Sequence, residues 1–122
     1  MAARLLLVDD EPALAELLQR YLQRIGYEVD VCGSAEEALA RFEPDPSRYP
    51  LVLTDLTLPG MNGDDMLERM RLSDPALRAI LSSGYPHTPR NKETRFLPKP
   101  FLPKVLVTEI EALLGRASAE TA

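Results

Sequence analysis

Residues 4 to 12 read RLLLVDDEP, an apolar run that passes directly into three acids. Adjacent carboxylates repel unless a cation lies between them. A third acid, Asp55, closes another apolar run, Leu51 to Thr54, and Ser82 and Ser83 close a further one that begins at Ala79. Lys99 follows the run that ends at Leu97. Three carboxylates at close range make a hard oxygen donor set for a divalent cation, and Mg²⁺ is the common choice where phosphate is handled. With that charge neutralised, a carboxylate oxygen of Asp55 can attack phosphorus, while Lys99 and a serine hydroxyl hold the phosphoryl oxygens. Each residue alone has an ordinary explanation, the acid as a helix cap, the lysine as a surface residue, the serine as a turn residue. Only their joint placement points to a site.

Placement depends on the elements between them. Leu5 to Val8 is a short continuous apolar run, as a strand covered on both faces requires. Leu14, Leu17, Leu18, Tyr21, Leu22 and Ile25 recur at helical spacing between Pro12 and Gly26, a start and a stop. Tyr27 to Cys32 reads as a second strand, and Ser34 with Glu37 forms a capping box for a helix running to Phe42. Pro44, Asp45, Pro46 and Ser47 break that helix. Leu51 to Thr54 is the third strand. Turn residues Leu58 to Gly63 lead to a helix over about Asp64 to Leu72. Strands at Ala79 to Ser83 and Thr94 to Leu97 follow, and a final helix opens at Pro103. The chain from 4 to 115 is expected to form one domain, with 116–122 a frayed tail.

Strands alternating with helices imply α/β architecture, a doubly wound parallel sheet with right-handed crossovers. Ligands then bind beyond the carboxyl ends of the strands. Asp9, Asp10, Asp55, Ser82, Ser83 and Lys99 all stand at those ends, so residues ninety positions apart in sequence meet at one edge.

The totals narrow the function. With 122 residues and 45% apolar content the chain can bury a core of its own. A net charge of -5 argues against direct nucleic-acid binding, which needs a basic face. No apolar run is long enough to cross a bilayer, and the start Met-Ala-Ala-Arg lacks a signal-peptide pattern, so a cytoplasmic location is expected. Cys32, the one cysteine, excludes an internal disulfide and reads as a plain buried thiol.

From Arg4 to Leu114 the chain resembles the receiver (response-regulator) domains of two-component signalling. The matching pieces are Leu-Val-Asp-Asp-Glu (7–11), Leu-Thr-Asp-Leu-Thr-Leu-Pro-Gly-Met-Asn-Gly (53–63), Ile-Leu-Ser-Ser-Gly-Tyr (80–85) and Leu-Pro-Lys-Pro-Phe (97–101). The resemblance implies a flavodoxin-like (βα)5 fold with a five-stranded sheet. It implies Asp55 as acceptor of a phosphoryl group from a phosphohistidine on a histidine kinase or a histidine phosphotransfer protein. Mg²⁺ would be ligated by Asp10, Asp55 and the backbone carbonyl of Thr57, with Asp9 acting through water. Ser83 matches the switch hydroxyl, because it directly precedes the small Gly84, and Lys99 matches the family's lysine. Lys99–Pro100 matches its cis peptide. Phe96 stands where a rotating aromatic is expected, and its lack of a hydroxyl makes any switch there steric. The isolated domain would catalyse only its own aspartyl phosphorylation and dephosphorylation, as a monomer. The resemblance leaves open whether the chain is a single-domain regulator or part of a hybrid histidine kinase, the type it is most like.

One stretch departs from that pattern. Tyr85 to Arg95 is short, holds Pro86 and Pro89, and has no apolar stripe for a packed helix. The fourth helix is therefore expected to be reduced or absent, the loop irregular and mobile, and His87 a solvated loop residue. Three other functions fit the residues less well. An aspartate-nucleophile phosphatase needs a second acid two residues after the nucleophile, where Thr57 stands. A flavodoxin-like cofactor binder would not place Asp9, Asp10 and Glu11 against its ligand's phosphate. A protein-binding pseudo-receiver would usually have lost an acid or the lysine.

Overall fold

The computed structural model describes residues 3–121, with side chains described through Gly115. Five strands, β1 (Arg4–Val8), β2 (Glu28–Cys32), β3 (Leu51–Asp55), β4 (Arg78–Ser83) and β5 (Thr94–Pro98), form one sheet in the order β2-β1-β3-β4-β5. Every neighbouring pair is parallel. Four α-helices, α1 (Pro12–Arg24), α2 (Ala35–Phe42), α3 (Gly63–Ser73) and α4 (Pro103–Thr121), complete a flavodoxin-like fold. The frayed tail expected over 116–122 falls on residues whose side chains lie outside the described set.

Alternation along the strands sends side chains to two cores. Leu5, Leu7, Leu51, Leu53, Ile80 and Leu97 pack with Leu18 and Leu22 of α1 and Leu106, Ile110 and Leu113 of α4. On the other face, Leu6, Val8, Val52 and Leu81 meet Phe42 of α2 and Met66, Leu67 and Met70 of α3. Because both faces are covered, the inner strands carry apolar residues on both sides until their carboxyl ends, and the third strand is buried at every position.

The helix boundaries have local causes. Pro12 sits in the first turn of α1, where its missing N–H costs nothing. Gly26, at φ +111°, carries the chain out of that helix in a conformation that favours glycine. Ser34 Oγ accepts from the Glu37 N–H at 3.2 Å, opening α2. The returning half of the box is displaced by one residue, since Glu37 Oε2 accepts from the N–H of Gly33. Asn62 Oδ1 accepts from the Asp65 N–H at 2.8 Å and caps α3.

No helix separates β4 from β5. The loop is irregular, as the prolines imply, but it is not loose. Its anchor is Asp64, which is 1% exposed in the first turn of α3. His87 Nε2 lies 2.9 Å from Asp64 Oδ2, and the Arg90 N–H donates to the same oxygen at 3.3 Å. The Arg90 guanidinium also donates to Glu68 Oε2 at 2.6 Å and contacts Asp65. His87 is thus a half-buried tether, not a solvated side chain, and the expectation of a mobile loop is corrected to a pinned one. Composition could not show this, because the anchoring acid lies 23 residues away. His87→Ala should cost about 1 kcal/mol and speed tryptic cleavage at the exposed Lys92. An unchanged cleavage rate would mean that Arg90 alone holds the loop.

Candidate functional site

The carboxyl ends of β1, β3, β4 and β5 form a cleft of about 270 Å³, lined among others by Asp10, Asp55, Thr57, Ser82, Ser83 and Lys99. Asp9, Asp10 and Asp55 each bring a carboxylate oxygen within 4.8 Å of the others. Asp9 is 4% exposed and its Oδ1 accepts from the Glu11 N–H at 2.8 Å. Asp55 is 7% exposed at the end of a wholly buried strand. Asp10 is exposed, so the acid cluster opens to solvent on one side. A donor set of three carboxylates, one accessible from outside, fits a hard divalent cation of the Mg²⁺ type.

Lys99 Nζ donates to Asp55 Oδ1 at 2.7 Å, the chain's link between β3 and the residue after β5. Lys99–Pro100 is cis, and the Lys99 N–H donates to the carbonyl of Ser83 at 2.9 Å. Burial, with the neighbouring charge of Asp9, pushes the Asp55 carboxyl up to about 6 in spite of the lysine. The lysine itself moves upward too: burial works against its charge, but the hydrogen bond and charge of Asp55 outweigh it. The site is therefore short of positive charge, and a bound cation would relieve the remaining repulsion.

The α3 side of the site is built by glycine. A Cβ on Gly63 would stand 2.1 Å from the carbonyl oxygen of Asp55, so a side chain there would push the backbone of the acid out of place. The Gly63 N–H donates to the Leu56 carbonyl at 2.7 Å, joining the start of α3 to the end of β3. Ser83 Oγ accepts from the Tyr85 N–H at 3.0 Å. Phe96 is half-buried and stands outside the cleft lining.

This arrangement has relatives. Residues 5–111 match the family model described as the response regulator receiver domain. The chain belongs to that family. The receiver domain is 33% identical to the regulatory protein VanRB of Enterococcus faecalis (strain ATCC 700802 / V583), covering 98% of this chain and 56% of VanRB. It is 34% identical to the sensor kinase CckA of Brucella abortus (strain 2308), covering 94% of this chain and 13% of that kinase. Among solved structures, the receiver domain from the hybrid histidine kinase CckA superimposes with a TM-score of 0.83 at 32% identity, covering 91% of this chain and 98% of that one. The chain thus spans about half or less of the curated relatives it matches.

The structure brings Asp9, Asp10, Asp55, Thr57, Ser83 and Lys99 to one edge. Sequence reasoning passed over two participants. One is the Glu11 N–H that caps Asp9, a backbone contact with no residue-type signal. The other is Gly63, read only as turn chemistry. Cys32 is buried, its thiol pushed up to about 11 by burial first and by the charge of Glu37, which suits an inert core residue. Among the described residues no helix is long and apolar enough to cross a membrane.

Proposed function

We propose that this receiver domain accepts a phosphoryl group from a phosphohistidine onto Asp55, with Mg²⁺ held by Asp9, Asp10, Asp55 and the carbonyl of Thr57. The observation that carries the reading is the 2.7 Å contact of Lys99 with an aspartate that is itself within a cluster of acids. A carboxylate oxygen of Asp55 attacks phosphorus and forms the new O–P bond. The P–N bond of the donor breaks, and its electron pair returns to the imidazole nitrogen. Bound Mg²⁺ supplies neutralisation of the charge that develops on the phosphoryl oxygens. Lys99 follows those oxygens as they take over the charge of the carboxylate. The Ser83 hydroxyl, which accepts from the Tyr85 N–H, has its own proton to donate to one of them. Phe96 responds only by its bulk.

The donor is a helical bundle carrying the phosphohistidine, as expected of a receiver similar to those in hybrid kinases. What supports this is an apolar groove of about 510 Å³ beside the site, lined by Leu14, Leu17 and Leu18 of α1 and by Pro100, Phe101 and Pro103. Leu17 is 60% exposed there.

Incubation with Mg²⁺ and acetyl phosphate should add one acid-stable, base-labile phosphoryl group that maps to Asp55. Phosphate on a serine would sink the mechanism, and no uptake from any donor would favour the pseudo-receiver. With a phosphohistidine protein as donor, Leu17→Glu should slow transfer by about five-fold or more. Labelling by acetyl phosphate, which is too small to need the groove, should persist in that variant.

A further inference from the structure

Ser82 sits one residue before Ser83, yet alternation turns the two hydroxyls to opposite faces of β4. Ser82 pairs with Asp55 across the parallel ladder, so its side chain shares a face with that acid. Asp9, Asp55, Ser82 and Lys99 together line a cavity of about 20 Å³ above Leu53 and Leu97, room for one water molecule. Ser82 is 7% exposed, and its Oγ has no hydrogen-bond partner among the described residues. A hydroxyl in that condition is costly, and an aliphatic residue would fill the space without the cost. The lysine beside it has unspent capacity. Its ammonium carries three donors, of which Asp55 Oδ1 takes one.

We propose that Ser82 is a positioning residue for Lys99, its Oγ accepting from the ammonium through a single water in this cavity. The inference rests on the phosphoacceptor reading of the site. In the resting domain Lys99 is held by the Asp55 carboxylate on one side and by the Ser82 water on the other. When the O–P bond forms, the attacking oxygen becomes a bridging oxygen and its charge passes to the terminal phosphoryl oxygens. Lys99 must then turn outward, and a second anchor on its inner side limits how far it strays. Ser83 cannot supply that anchor, since it faces the other side of the strand and already binds the Tyr85 N–H.

The test compares Ser82→Thr with Ser82→Val, two side chains of the same shape that differ in the hydroxyl. The rate of labelling by acetyl phosphate should be at least about five-fold lower in the valine variant, with the same Mg²⁺ affinity in both. In a Lys99→Ala background the two should label at equal rates. In the metal-free domain, hydrogen exchange of the Lys99 ammonium, followed by ¹⁵N NMR, should be faster in the valine variant. Equal rates with Lys99 present, or a threonine–valine difference that survives its removal, would overturn the proposal. Should the unmodified domain take no phosphoryl group at all, the phosphoacceptor reading falls separately. Lys99 exchange then decides alone: equal exchange in the two variants overturns the positioning role, and faster exchange in valine upholds it.

Discussion

Asp55→Asn should take up no phosphoryl group from any donor and, free of divalent ions, should be more stable than the unmodified domain by about 3 kcal/mol at neutral pH. The two effects share a cause. A nucleophile needs a carboxylate oxygen, and holding that carboxylate ionised in a buried acid cluster is unfavourable. The Asp55 carboxyl is raised to about 6 by burial and by Asp9, so the native state binds a proton that the unfolded chain has already released. A group raised in this way favours folding below its unfolded pKa, and that contribution is lost as pH rises through its folded value. The advantage of the asparagine variant should therefore be absent below about pH 4. It should grow between about pH 4 and 6 and stay level above that. Lys99 keeps an amide oxygen as acceptor in the variant. Saturating Mg²⁺ should shrink the difference, because the cation relieves the same repulsion in the unmodified domain. Chemical denaturation across this pH range, with and without Mg²⁺, measures all of it. A variant less stable than its parent at neutral pH would show that the Lys99 ion pair outweighs the repulsion.

Asp10→Asn should remove most of the response to Mg²⁺. At a tenfold excess over its dissociation constant, a ligand that binds only the native state stabilises it by about 1.4 kcal/mol, or about 5 °C in a domain of this size. Asp10 is the exposed member of the cluster, so its replacement leaves the buried frame of Asp9 and Asp55 intact. The variant should melt near its parent without metal, gain less than half the shift with it, and accept phosphate about tenfold more slowly or worse. Calorimetry against Mg²⁺ concentration reads the first two. A full shift in the variant would place the cation elsewhere.

The two variants act on different terms of one balance. Asp55 carries the penalty of a buried charge, and Asp10 offers the accessible oxygen through which a cation would reach it. A site poised in this way is less stable than its neutral equivalent until it is occupied. The loop that stands in place of a helix has a related economy. It offers little apolar surface, and its order comes from His87 and Arg90 on Asp64, in the turn of α3 that begins at Gly63 against Asp55.

By itself, the sequence determined the α/β order, the missing helix and the edge at which Asp9, Asp10, Asp55, Ser83 and Lys99 gather. Those features are legible because they are periodic or local. Apolar runs such as Leu51 to Thr54 report burial on two faces, Pro86 and Pro89 disfavour helix in the residues before them, and parallel topology sends every strand end to one side. Only the tertiary structure decided the partners of individual polar atoms. It set His87 on Asp64, the Glu11 N–H on Asp9, Gly63 against the Asp55 carbonyl, and Ser82 in one cavity with Lys99, its hydroxyl unpaired among the described residues. Such contacts join residues far apart in the chain or involve backbone groups that every residue carries. Their formation depends on distances of a few tenths of an ångström, which packing sets and residue type does not.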